Sequence, residues 1–181
     1  MILSIAGSFF SSCKKGEEDP ALSFRSRNSR FEGNWKITLI DITSTRTTGG
    51  VTETNTLEFN GNSLNHLLTT NGVETRTTMQ NYNMILEINK NDKFTFSQSY
   101  SLNDSTKNQS YTTNWNWLNT EKTLVNLPLN FGSFAQCDNW HLRELREKKL
   151  VLIAEIKLDQ NNLAYPYTYQ INYQLEFEKV K

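Results

Sequence analysis

The chain has few of the residues that build reactive centres: two histidines and two cysteines in 181 residues. His66 has no cysteine, second histidine or acidic side chain nearby in sequence to share a metal ion with it. Cys137, His141 and Glu144 would offer zinc three ligands from one helix face, but the stretch reads as loop and strand, which separates them. A G-x-S-x-G elbow is missing, and no glycine-rich loop follows a strand to cradle phosphate. Glu144 and Glu147 near His141 read as a solvated charged turn rather than as an acid and base. These lacks argue against an enzyme and call for no cofactor and no metal. Net charge is also lacking: 19 basic side chains balance 19 acidic ones, leaving no field to gather nucleic acid, which is therefore not an expected partner. What is plentiful is Asn, Thr and Ser, with aromatics at 12%, a mix that suits half-exposed pleated strands better than helices. The length fits one domain, and the composition is all-β.

The amino terminus reads as an address. Met1 to Phe10 is an apolar run too short to cross a bilayer, and Ser11-Ser12-Cys13 follows it. Small residues before a cysteine resemble the end of a bacterial lipoprotein signal, although Phe10 stands where leucine is usual and no basic residue precedes the run. The resemblance implies that residues 1–12 are a signal peptide, that Cys13 is the lipid anchor, and that residues 13–30 form a tether. The competing readings are a buried strand over residues 1–12 and a Cys13–Cys137 disulfide. Lys15, Glu17, Glu18 and Asp19 resemble the export signal of surface lipoproteins of the Bacteroidetes type, with Gly16 interrupting its order. The implied location is the bacterial outer membrane, lipid-anchored and facing the cell surface. Asp104-Ser105-Thr106 resembles the acceptor of O-glycans in the same bacteria.

Residues 31–181 carry period-two alternation broken by turn residues. After a short helix or turn near Leu22 to Arg30, Gly33-Asn34-Trp35 opens a first strand with Trp35, Ile37 and Leu39 on one face. Val51 to Phe59, Ser63 to Thr70 and Val73 onward follow, separated by Asn60-Gly61 and Asn71-Gly72, both type I′ hairpin signals. Met84, Leu86 and Ile88 end one strand; Phe94, Phe96 and Tyr100 mark the next. Tyr111 to Leu118 places Trp115 and Trp117 together, and Trp140 to Leu145 and Leu150 to Leu158 flank a charged turn. In the last strand Tyr165, Tyr167, Tyr169, Ile171, Tyr173, Leu175 and Phe177 share a face.

Gly33-x-Trp35 at the head of the first strand, with this strand order behind it, resembles the lipocalins and related calycins. The resemblance implies an antiparallel up-and-down β-barrel over residues 31–181; a β-sandwich is the competing architecture. Lipocalins often stack a late arginine over that tryptophan. No arginine follows Arg146 here, which leaves Lys179 or Lys181 for the place.

A lipocalin-like barrel implies a small apolar ligand in its interior. The candidate ligand-binding residues are Trp35, Phe94, Phe96, Trp115, Trp117, Tyr167, Tyr169 and Tyr173, unless they fill the interior completely. In that case the chain is expected to act as a surface module, meeting a protein or glycan through loops. Thr43 to Gly50 and Leu129 to Asn139, the latter with Phe131 and Phe134, are the loops expected to serve.

Overall fold

A computed structural model describes residues 26–131, 136–160 and 167–181, so Cys13, the signal-like run, most of the tether, Phe134 and Tyr165 lie outside the described residues. Helix α1 (Arg27–Phe31) opens on Ser26, whose hydroxyl accepts from the Ser29 amide at 3.1 Å. Phe31 then packs its ring 5.0 Å from those of both Trp115 and Trp117, closing one end of the core.

Eleven strands follow: β1 (Gly33–Thr48), β2 (Val51–Phe59), β3 (Leu64–Thr70), β4 (Val73–Ile88), β5 (Lys93–Leu102), β6 (Ser105–Asn114), β7 (Asn116–Trp117), β8 (Leu124–Asn130), β9 (Gln136–Leu145), β10 (Lys149–Gln160) and β11 (Tyr167–Val180). They form a single antiparallel sheet in the order β6-β5-β4-β3-β2-β1-β11-β10-β9-β8-β7. The described residues are therefore all-β but for one short helix, and neighbouring strands are mostly neighbours in sequence. Two-residue turns enforce this. Asn71-Gly72, at φ 50° and 81°, joins Thr70 directly to Val73, because both central positions need positive φ. Asn103-Asp104 does the same between Leu102 and Ser105.

The sheet curls around one core. Phe94 and Phe96 from one side of the strand order and Val125, Leu127 and Leu129 from the other belong to the same buried cluster. Tyr111 on β6 donates its hydroxyl to the Pro128 carbonyl on β8 at 2.8 Å, so strands near opposite ends of the order meet. Each ring fully removed from water contributes roughly 2 to 3 kcal/mol, which makes this shared core the main reason the sheet bends.

Several expectations need correcting. The register of β1 against β11 shifts at Thr38, a bulge that reverses the alternation: Ile40 and Ile42 are buried, while Leu39, expected beside Trp35 and Ile37, is only half-buried. Thr43 to Thr48 is strand rather than loop, because β1 continues against β2 to a tight Gly49-Gly50 turn. Asn60-Gly61 is not a two-residue hairpin: Phe59 pairs with Leu64 across four residues, and the Asn60 side chain accepts from the Ser63 amide at 2.8 Å. The ends of the expected Leu129 to Asn139 loop are strand, since Leu124–Asn130 forms β8 and β9 begins at Gln136; Phe131 is buried, and residues 132–135 lie outside the described residues. Pro128 hides β8 from a pattern search. It has no amide to donate, and the β8–β9 ladder breaks between Asn126 and Leu129. The Tyr111 to Leu118 strand is split, with Trp115 between β6 and β7.

Candidate functional site

Two pairs of strands in the sheet begin as neighbours and then part. β1 pairs with β4 through Gly33–Lys36, after which the β2–β3 hairpin fills the widening gap. β9 and β10 pair through Leu145–His141 and Leu150–Ile153, and then no ladder joins them among the described residues. β9 goes on against β8 and β10 against β11. Between them lies an open cleft of about 1150 Å³, the candidate site.

The cleft reaches the core. Its floor includes Tyr173 and Cys137, 3% and 5% exposed, and its β10 wall includes Ala154 and Ile156, which pack on the buried cluster. Ala154 is directly opposite Tyr173 in the β10–β11 ladder. The Tyr173 ring meets Trp140 edge-on at 5.4 Å, and its hydroxyl donates to the Gln136 carbonyl on β9 at 3.0 Å. Tyr173 thus ties β11 to β9 at the cleft floor. The rim is polar: Asp138, Asn139, His141, Glu155 and Asn172 are exposed around the opening.

Burial keeps the floor uncharged to higher pH than a free thiol and phenol would allow. It pushes the Cys137 thiol up to about 11, a rise that a backbone hydrogen bond with Asn139 opposes and Asp138 reinforces; the thiol itself donates to the Asn139 carbonyl at 3.3 Å. Burial likewise raises Tyr173, with smaller contributions from Cys137 and Tyr169. An uncharged floor under a polar rim suits a ligand with an apolar body and a polar end. Cys137 is buried while His141 is exposed, and Glu144 is held in ion pairs with Arg146 and with Lys149, the latter at 3.0 Å, so these three do not converge. Among the described residues, no group of three His, Cys, Asp or Glu side chains could hold a metal ion. No helix among them is long and apolar enough to cross a membrane.

Of the eight ligand-binding residues expected from sequence, Tyr173 lines this cleft. Trp35, Phe94 and Phe96 are wholly buried and Trp115 nearly so, with Phe96 stacked on Tyr111 at 5.0 Å. Trp117 is half-buried against Phe31 and donates its indole N–H to the Asn28 side chain at 3.0 Å. Tyr167 is half-buried beneath the Arg46 guanidinium at 5.9 Å, and Tyr169 lines a smaller recess with Leu158 and Thr45. Those expected residues divide between a filled end and an open one. Ala154, Ile156 and Asn172 were not expected at a site, and Cys137 only as part of the Leu129 to Asn139 loop: nothing in the sequence marks where two strands stop pairing. Compared with the models of known protein families and with the curated proteins, the chain matches none.

Proposed function

We propose that the chain is a lipid-anchored envelope protein whose curled sheet is a lipocalin-like barrel, and that it carries a small ligand with an apolar body. The observation behind this reading is the cleft between β9 and β10, which opens onto the buried face of the sheet at Tyr173, Cys137, Ala154 and Ile156. The barrel reading draws on the meeting of β6 and β8 through Tyr111, and on the cation stacked over the first-strand tryptophan, here Lys179. The anchor reading rests on Ser11-Ser12-Cys13 alone. Role and residue then agree: the aromatic end gives rigidity, and the parted strands give entry.

Ala154→Trp places a large ring where Tyr173 now has space, and it is expected to weaken binding of an apolar dye such as Nile red at least tenfold. Trp35→Phe, at the filled end, is expected to leave dye affinity within about twofold, since it alters packing remote from the cleft. Native mass spectrometry of gently purified protein supplies the second readout. A persistently ligand-free mass, together with dye binding indifferent to Ala154→Trp, would rule the carrier out.

A further inference from the structure

We infer that the ligand of the β9–β10 cleft carries a positive charge: an organic ammonium with an apolar chain, in preference to a fatty acid. This deepens the carrier reading and rests on it. The lining joins an apolar wall to two carboxylates, with neither lysine nor arginine among the described residues. His141 and Ile153 form the last pair before the strands part. Asp138 lies three residues beyond that pair on β9, and Glu155 two residues beyond it on β10. The two acids thus stand on opposite walls of the opening, roughly 7 to 10 Å along the strands from the last pair. The other basic group of the lining, the His141 imidazole, stays at the closed end of the fork.

The backbone alone would take a ligand of either sign, because parted strands leave both amides and carbonyls without a ladder partner on the cleft side. The side chains break the tie. Glu155 is already engaged: it pairs with Lys157 at 2.7 Å and accepts from the Gln170 side chain at 3.1 Å. Asp138 is not. Among the described residues it accepts from the Gln136 side chain at 3.4 Å, and no cation lies within ion-pair distance of it. Its charge is also felt inward. Burial chiefly raises the Cys137 thiol and the Tyr111 phenol, and the Asp138 carboxylate raises both further. A fatty-acid head group would meet that field as repulsion, whereas an ammonium gains a charge-assisted hydrogen bond beside a floor closed to water. The chain of the ligand then lies on Ala154 and Ile156, which pack on the buried cluster.

The test is displacement of Nile red from the full chain at neutral pH by dodecylammonium, dodecanol and dodecanoate, each below its micelle concentration. Dodecylammonium is expected to bind roughly tenfold tighter than dodecanoate, with dodecanol between them. Asp138→Asn, at an exposed position, is expected to remove most of that margin and to leave dodecanol within about twofold. Lys157→Gln, where the side chain is 64% exposed, releases Glu155 and is expected to tighten dodecylammonium about threefold, a gain that a misfolded variant does not produce. Dodecanoate binding tightest, three probes binding equally, or a preference that either substitution leaves unchanged overturns the charge assignment and leaves the carrier standing. A dye that does not bind, or that none of the three displaces, removes both.

Discussion

The ammonium of Lys179 stands 4.8 Å from the centroid of the Trp35 ring, and the two residues are direct partners in the β1–β11 ladder. The same ammonium donates to the Arg30 carbonyl at 3.0 Å, and the Trp35 indole N–H donates to the Phe31 carbonyl at 2.8 Å. First strand, last strand and helix are thereby locked at one point. Gly33 belongs to the lock: its φ is +130°, and a Cβ there would fall on the Lys179 side chain.

Removing the cation should therefore cost more than an exposed lysine would. Lys179→Met keeps an aliphatic arm but loses the cation–π contact and the hydrogen bond, and is expected to lower stability by about 1 to 3 kcal/mol. Lys179→Arg should lose less than half of that. Urea denaturation of the three proteins measures the difference, and equal midpoints would show that the stack contributes nothing.

The bulge at Thr38 makes a prediction opposite to simple alternation. Ile40→Ala empties a site that is 1% exposed and should cost about 2 to 5 kcal/mol, whereas Leu39→Ala on the half-buried face should cost under about 1.5 kcal/mol. Chemical denaturation ranks the pair; the reverse order would remove the bulge.

The cleft floor should respond to pH in one direction. Because folding raises the Cys137 thiol from 9.0 to about 11, the native state holds its proton more tightly than the unfolded chain does. This stabilising contribution is complete below pH 9 and is lost as the pH rises through 11. Iodoacetamide should accordingly label Cys137 slowly in native protein at pH 8, far more slowly than in urea, with the native rate climbing only near pH 11. Equal rates at pH 8 would place the thiol outside the core.

The anchor is open to a direct assay. Each buried methylene of an acyl chain contributes roughly 0.8 kcal/mol, so two or three chains hold a protein firmly to a bilayer. Cys13→Ala should move the protein to the soluble fraction, and continued sedimentation with membranes would end the lipoprotein reading.

The sequence by itself determined the all-β character, most strand positions and the inward face of β11. Each follows from short-range alternation and from turns such as Asn71-Gly72, which a local pattern carries completely. It also supplied Trp35, together with the question of which late cation would cover it. Only the tertiary structure decided that Lys179 does so, that Thr38 bulges, that Pro128 lies within a strand, and that β9 and β10 part after Ile153. Those outcomes depend on register between strands far apart in the chain, where packing against a shared core outweighs local preference. The site residues Cys137, Ala154 and Tyr173 meet only because the sheet curls, and no spacing along one strand records that curvature.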